Sequence, residues 1–335
     1  MQLKSMVGVC LIVLSVAMLP FVTIAQSSKQ PESNLVCECC GQKNCPCCKD
    51  KIVIPQQRIA ACGFSRPIRV ATMVNNRPFG WAEKSYRDGK QAFVSKGYGI
   101  NMFEEIAKKL NLRYVVVGYD KDQEAISDLK KGKLDLLVGL YNPTSTAGKN
   151  TMAVYPSMFP NVLGVYYLKE NAFEVTGDES LKNKKGVMRR TENIYPLYSA
   201  RITPDMSITL ETTEDSFRKL LTGEADYLIG SPYSVEAELR RYKLHNKIVA
   251  SPHKLMYASL FMVLTRVNDC FKLASTLGEG IKAYNANQAH VNQELNKVID
   301  EWGKRFESMP GLEEKLAEKS EETDKNPGLS PEISE

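Results

Sequence analysis

Several classes of protein are disfavoured by what the 335-residue sequence lacks. It has three histidines, which argues against a metal enzyme built on several histidine ligands. Its net charge of +5, from 44 basic and 39 acidic residues, is too small to indicate a nucleic-acid-binding protein. After residue 25 no apolar run reaches about 18 residues, so we expect no transmembrane helix in the mature chain.

The charge that is present is unevenly distributed. Residues 307–335 hold nine acidic and three basic residues, a net charge of −6, and their composition predicts a disordered tail. Residues 26–306 carry +10. A basic body weakly favours anionic partners, although a solvated basic surface is the simpler explanation.

The first 25 residues have the features of a secretory signal peptide. Lys4 precedes an apolar run from Val7 to Ile24, and Thr23 and Ala25 place small residues at a cleavage site. An uncleaved anchor helix is the alternative. We therefore expect the protein to be exported, to the periplasm or beyond it.

Two copies of the pattern Cys-x-Cys-Cys come next and place six thiols within twelve residues. Thiolates are good ligands for zinc or copper(I), whereas disulfides are natural in an oxidising compartment, and both interpretations remain open, as does a tether or maturation handle. The cysteines concerned are Cys37, Cys39, Cys40, Cys45, Cys47 and Cys48. Cys62 and Cys270 are isolated, and two buried thiols or one bridge are expected there.

From about residue 66 the pattern becomes that of a folded α/β protein. Strands are predicted at 68–73, 114–117 and 134–140, because these runs are apolar or β-branched. Helices are predicted between them, at 99–111 and 123–131. This alternation is typical of a parallel sheet covered by helices.

The second half of the chain repeats this organisation. The segment Leu129 to Leu137 resembles the segment Leu220 to Leu228, because each runs from a helix end through Gly and Asp into an apolar strand. Two similar α/β lobes, with a ligand cleft at the carboxyl ends of their strands, explain the repetition. The predicted elements are strands at 186–188, 207–210, 227–229 and 259–265 and helices at 213–221, 234–242, 268–284 and 287–305.

A series of short motifs lies along residues 66–306. They include Arg77-Pro78-Phe79-Gly80-Trp81, Gly97–Leu110, Val154-Tyr155-Pro156-Ser157, Lys184-Lys185-Gly186-Val187 and Gly223–Ile229. In their order and separation they resemble the extracellular solute-binding protein family 3, the polar amino-acid receptors of ABC importers. The resemblance implies the α/β, two-lobed, type II periplasmic binding protein fold, with hinge strands near 160–165 and 253–260.

The resemblance and the composition together divide the chain into five parts. These are a signal peptide at 1–25, a Cys-rich flexible segment at 26–65, lobe 1 at 66–162 and 256–306, lobe 2 at 163–255, and an acidic disordered tail at 307–335.

Both charged groups with which the amino-acid receptors hold a zwitterion are missing. The turn at 141–150 contains no Arg to bind the α-carboxylate, and Lys149 is its nearest cation. The Asp that would bind the ammonium is absent near Gly230 and Ser231. The resemblance therefore does not imply a standard α-amino acid as the ligand.

Other polar and aromatic residues follow the predicted strands at the expected cleft. Amides and hydroxyls orient a polar ligand, aromatic rings provide a stacking wall, and Arg near a helix N-terminus binds an anion. The candidate ligand-binding residues are Asn75, Asn76, Phe79, Trp81, Asn142, Thr144, Ser145, Arg189, Arg190, Thr191, Ser231 and Tyr233.

Each of these candidates has a simpler interpretation. Phe79 and Trp81 can be core residues of a lobe, and Asn142 can belong only to a turn. Arg189 and Arg190 can be a solvated pair, of which at most one faces the cleft because neighbours on a strand point in opposite directions.

We therefore expect a monomeric binding protein rather than an enzyme. It captures a small polar molecule, with an anion as the sharper hypothesis, and delivers it to the membrane permease of an ABC importer. We expect no nucleic acid and no cofactor other than zinc or copper at the cysteine cluster. The alternatives are a periplasmic redox- or metal-linked accessory protein of a dehydrogenase, and a dehydratase on the same scaffold, although no Ser-His-Asp or paired-carboxylate pattern is evident.

Overall fold

The computed structural model describes residues 62–87, 89–141, 148–190 and 194–325. Its strands are β1 (Ile68–Thr72), β2 (Asn75–Asn76), β3 (Gly80–Arg87), β4 (Lys90–Lys96), β5 (Tyr114–Val116), β6 (Leu136–Tyr141), β7 (Thr151–Ala153), β8 (Val162–Leu168), β9 (Lys185–Arg189), β10 (Ser207–Glu211), β11 (Tyr227–Gly230), β12 (Ile248–Tyr257) and β13 (Leu260–Thr265). Its α-helices are α1 (Tyr98–Lys109), α2 (Asp122–Lys130), α3 (Tyr195–Tyr198), α4 (Thr213–Leu221), α5 (Pro232–Tyr242), α6 (Ala274–Asn285), α7 (Gln288–Lys304) and α8 (Leu312–Lys325).

The first sheet, which forms lobe 1, has the strand order β5-β1-β6-β13-β7. β1 is parallel to β5 and β6, whereas β13 is antiparallel to β6 and β7. All six residues of β6 are buried, as expected for a central strand that is covered on both faces. α1 packs against this sheet through Met102, Phe103 and Ile106, which recur at helical spacing.

The second sheet, which forms lobe 2, has the strand order β10-β9-β11-β8-β12. β9 is parallel to β10 and β11, and β8 is antiparallel to β11 and β12. α4 packs on this sheet through Phe217 and Leu220. The two sheets therefore repeat one plan, in which three parallel strands are joined by a strand of opposite direction.

The two segments that resemble each other in sequence also share one local geometry. Gly132 and Gly223 each follow a helix with φ of 72°, a left-handed conformation that glycine adopts without steric cost. The Asp carboxylate that follows each glycine then accepts a hydrogen bond from a backbone N–H of the neighbouring strand. Asp135 accepts from Arg69 at 2.9 Å, and Asp226 accepts from Lys185 at 2.7 Å.

The chain passes between the two sheets through two adjacent segments. The N–H of Ala258 donates to the carbonyl of Asn161 at 2.8 Å, and the N–H of Leu260 donates to the carbonyl of Phe159 at 2.9 Å. Paired crossings of this kind are the geometry about which two lobes rotate as a hinge.

α7 packs against α1 of lobe 1 and against α5 of lobe 2, whereas α8 packs on lobe 2. α7 buries Val291, Leu295, Val298, Ile299 and Trp302 in the main core, which confirms the expected apolar stripe. α8 instead begins with Leu312, which belongs to the buried apolar cluster of lobe 2.

The structure differs here from the disordered tail expected from residue 307. Leu312 is 1% exposed and clusters with Phe217, Tyr242 and Leu244, and Lys247 forms an ion pair with Glu313. One buried apolar face is enough to dock the helix, and the acidic composition of the segment concealed that face. Residues 326–335 lie outside the described part of the chain.

Cys62 and Cys270 form a disulfide with a Cα–Cα distance of 5.1 Å, one of the two arrangements expected for them. Nearby, the buried Asp135 carboxylate accepts hydrogen bonds from Arg66 Nη1, Arg69 Nε and Asn268 Nδ2, each at 2.9 Å. Burial alone would raise the pKa of Asp135, but the hydrogen bonds from Arg69 and Arg66 outweigh it and hold the pKa below its usual range.

The segments at 1–25 and 26–61, with the predicted signal peptide and the six clustered cysteines, lie outside the described residues. Among the helices that the structure describes, none has both the length and the apolar character to span a membrane.

Candidate functional site

A network of buried polar side chains joins the two lobes at the ends of their central strands. The hydroxyl of Tyr141 donates to Asn76 Oδ1 at 3.2 Å and accepts from Asn161 Nδ2 at 3.0 Å. Asn161 Nδ2 also donates to Ser231 Oγ at 2.9 Å, and the Ser231 hydroxyl donates to Asn161 Oδ1 at 3.0 Å. All four residues are at most 4% exposed, and we call them the cross-lobe network.

The fold explains why these four side chains meet. Tyr141 ends β6 and Ser231 directly follows β11, so both lie at the carboxyl ends of parallel strands, where ligand clefts form in α/β folds. Asn161 lies in the first crossing between the lobes. Lobe 1, the hinge and lobe 2 each contribute to one hydrogen-bonded unit.

Arg189 adds a positive charge next to this network. It ends β9, is 3% exposed, and donates from Nη1 to the carbonyl of Ser234 at 3.5 Å. Burial lowers the pKa of Arg189, while the nearby Glu238 carboxylate acts in the opposite direction. Burial also raises the pKa of Tyr141 and of Tyr166, so both phenols stay neutral at physiological pH.

An aromatic cluster forms the wall beside the polar groups. The Tyr233 ring of lobe 2 lies 6.0 Å from the Phe79 ring of lobe 1 and 5.2 Å from the Phe159 ring, both edge to face. Phe79 and Phe159 are 5.0 Å apart, and Tyr98 completes the cluster at 5.8 Å from Phe159. The rings thus meet across the lobe boundary.

The structure brings together part of the residue set predicted from sequence. Asn76, Phe79, Arg189, Ser231 and Tyr233 lie at the boundary between the lobes, as described above. Asn75 is half-buried in β2, which pairs with β3. Asn142, Thr144, Ser145 and Thr191 lie outside the described residues, as do Cys37, Cys39, Cys40, Cys45, Cys47 and Cys48.

Two of the predicted ligand-binding residues lie elsewhere. Trp81 packs 5.4 Å from Trp302 of α7, which makes it a core residue of lobe 1. Arg190 is exposed, and its Nη2 donates to the carbonyl of Leu210 on the neighbouring strand. The alternation of neighbouring residues along a strand sends Arg189 inward and Arg190 outward.

Four residues of the site were missed by the sequence analysis, namely Tyr141, Asn161, Tyr166 and Glu238. Tyr141 carried a signal, since it directly precedes the predicted loop residue Asn142. Asn161 carried none, because its role depends on the crossing between the lobes.

Comparison with solved structures places this arrangement in a known architecture. An amino-acid ABC transporter substrate-binding protein, AbpA from Streptococcus pneumoniae, solved with L-arginine, has a TM-score of 0.52 at 14% identity, covering 70% of this chain and 95% of that one. The GluR0 ligand-binding core, solved with L-glutamate, has a TM-score of 0.51 at 14% identity, covering 73% and 99%. The chain has the two-lobed fold of the periplasmic binding proteins.

Proteins with other roles share the same fold. The periplasmic VFT2 domain of BvgS from Bordetella pertussis has a TM-score of 0.50 at 18% identity, covering 70% of this chain and 92% of that one. No family model matches the sequence, and no curated protein matches it. The likeness therefore shows the fold alone, and the function has to be argued from the site.

Proposed function

We propose that this protein is an exported solute-binding protein that captures a small polar molecule between its lobes and delivers it to an ABC-type permease. The observation that supports the proposal most directly is the cross-lobe network. Hydrogen-bonding groups from both lobes converge at the strand ends, beside a buried arginine and an aromatic wall. Lobe opening exposes these groups to solvent, and a ligand that satisfies them favours closure.

The charges at the lobe boundary favour an anionic ligand. Glu238 is 1% exposed, forms an ion pair with Arg241 at 3.3 Å and also acts on Arg189 and Arg77, so three arginines surround this one carboxylate. Arg189 then adds a buried positive charge next to the network. An oxyanion or carboxylate bound there would balance the excess of arginine over carboxylate at this boundary.

The same residues argue against a standard α-amino acid. Ser231 replaces the acidic residue that would bind an ammonium group, and the Ser231 hydroxyl is hydrogen-bonded to Asn161. No Arg is present in the sequence at 141–150 to bind the α-carboxylate. The proposed ligand is therefore a small polar anion without a paired ammonium group.

A thermal-shift screen of the mature protein tests this proposal. A ligand at 100 times its Kd stabilises the folded state by about 2.7 kcal/mol, which is several degrees in Tm. We expect small carboxylates or oxyanions to raise Tm, and R189Q to abolish the shift. R190Q removes the same charge from the neighbouring exposed position and should keep it.

Circular dichroism checks that each variant is folded, so that loss of the Tm shift can be assigned to loss of binding. The anionic site is contradicted if an anion still raises the Tm of a folded R189Q protein. It is also contradicted if only sugars or zwitterions bind in the screen. R189K retains the charge and serves as the second variant if R189Q does not fold.

Delivery to a permease needs a separate experiment, because sensor domains share the fold. We expect deletion of the protein to abolish ATP-dependent uptake of the identified ligand by whole cells. Unchanged uptake, with a change only in a signalling response to that ligand, would contradict transport and favour sensing.

A further inference from the structure

A second polar groove begins at Arg77, the residue that directly follows Asn76 of the cross-lobe network. It forms between β3 and the end of α7 and has a volume of about 370 Å³. Its lining includes Arg77, Trp81, Lys84, Trp302, Arg305 and Phe306, which we call the tryptophan groove. Nothing in the proposed function uses this surface.

The tryptophan groove is positively charged. Arg77, Lys84 and Arg305 contribute three cations, and Glu83 contributes one anion. Glu83 already accepts a hydrogen bond from Trp81 Nε1 at 3.0 Å and forms an ion pair with Arg305. A net charge of +2 remains along one short groove, which attracts an anion.

Two buried donors of the groove have no acceptor. Trp302 is 5% exposed, and neither its Nε1 nor Arg77 Nε has a hydrogen-bond partner within the part of the chain that the structure describes. A buried donor without an acceptor is destabilising. Trp81 Nε1, in the same groove, shows the satisfied arrangement, because a carboxylate oxygen accepts from it.

The aromatic rings of the groove contact one another in a row, in tilted and edge-on geometry. Trp81 lies 5.4 Å from Trp302, and Trp302 lies 5.0 Å from Phe306. The Arg77 and Arg305 guanidinium groups lie 4.9 and 5.6 Å from the Trp302 ring. This row holds the cations in place and gives the groove an apolar side next to a cationic one.

We propose that the tryptophan groove binds a small organic carboxylate. The ligand carboxylate takes the place of Glu83 on Arg305, and Arg77 and Lys84 supply the remaining positive charge of the groove. Its apolar part lies along Phe306. Arginine suits this exchange because its planar guanidinium can bind a ligand carboxylate through two parallel N–H groups.

The experiment uses benzoate, acetate and inorganic phosphate as probes of the full mature chain. The chain contains two tryptophans, and both lie in this groove, so a change in intrinsic fluorescence reports on it directly. We expect benzoate to change the fluorescence and to bind more tightly than acetate or phosphate. Calorimetry then gives the affinity of each variant.

The variants give opposite directions of change. E83Q removes the competing carboxylate and should tighten benzoate binding about fivefold. R305Q should weaken it at least tenfold, whereas W302F, which keeps an aromatic ring and loses only the buried Nε1, should change it by no more than about twofold. R113Q removes an exposed arginine of the same lobe and is the matched control, with unchanged affinity.

Three results would overturn the proposal. In the first, none of the probes binds at about 10 mM, a concentration about ten times the Kd of a weak site. In the second, E83Q weakens binding or R305Q leaves it unchanged. In the third, binding is lost in R189Q and kept in R305Q, which would place the anion between the lobes and support only the proposed function.

Discussion

Replacing Ser231 with alanine should shift the lobes toward the open state. The Ser231 hydroxyl both donates to and accepts from the Asn161 amide, and it is the part of the cross-lobe network that lobe 2 supplies. In S231A the closed state leaves Asn161 Oδ1 buried without that donor. In the open state water hydrates the same oxygen, so the penalty falls on closure alone.

The size of the effect follows from the cost of a buried unsatisfied acceptor, about 1–3 kcal/mol. This corresponds to a shift of the closed–open equilibrium by about 5- to 150-fold toward the open state. Y141F removes the lobe 1 hydroxyl of the network and should act in the same direction. Because both side chains contact Asn161, the double variant should shift the equilibrium by less than the sum of the two single effects.

Energy transfer between dyes on the two lobes measures this equilibrium. Lys131 on lobe 1 and Glu170 on lobe 2 are exposed and accept labels introduced as unnatural amino acids. S234A is the matched control, because Ser234 is buried in the same helix start but its Oγ has no hydrogen-bond partner in the described residues. If S231A and S234A give the same distance distribution, the network does not hold the lobes together and the reasoning fails.

Three further predictions concern stability. D135N should lower the free energy of unfolding at pH 7 by about 2–3 kcal/mol. This is near the low end of the cost of breaking a buried ion pair, because Arg66 and Arg69 are partly exposed. Since the pKa of Asp135 is lowered by folding, its contribution is complete above about pH 4 and is lost as the pH falls; urea unfolding between pH 3 and 7 should show this loss in the wild type and not in D135N. L312A should cost about 2–4 kcal/mol at the docking site of α8, visible as faster hydrogen exchange of residues 312–318, and exchange equal to the wild type would mean that this leucine does not anchor the helix. The double variant C62A/C270A removes a cross-link between positions 208 residues apart and should lower stability by about 2–5 kcal/mol in calorimetry, whereas an unchanged Tm would show that the bridge contributes nothing.

The regular elements were predictable where local pattern alone determines them. The helix expected at 99–111 is α1 (Tyr98–Lys109), and the strand expected at 134–140 is β6 (Leu136–Tyr141). The repeated Gly and Asp positions indicated two similar lobes, because a helix end and a buried strand each impose strong residue preferences. β12 was expected only in part, as the hinge strand near 253–260 that the resemblance implies, since Pro252, His253 and Lys254 interrupt its apolar character.

The candidate site was predictable only in part, for a physical reason. Asn76, Arg189 and Ser231 were predicted from their places at the ends of strands, because a residue that follows a buried strand in an α/β lobe lies at the edge of the cleft. Asn161 contacts Tyr141 from 20 residues away and Ser231 from 70 residues away, and only the path of the hinge brings these groups together. The docking of α8 was hidden in the same way, since Leu312 needs a partner surface that lies far away in sequence.

The positions of the last two helices limit how far the cleft can widen. α7 packs on α1 of lobe 1 and on α5 of lobe 2, whereas α8 is docked on lobe 2, and five residues, 307–311, separate Phe306 from Leu312. A segment of that length spans at most about 20 Å when fully extended. The two helices are therefore held close together, and α7 itself bridges both lobes through its contacts with α1 and α5. Wide opening of the lobes therefore has to break the contacts of α7 with one of them, among them the ion pair between Asp300 and Arg240.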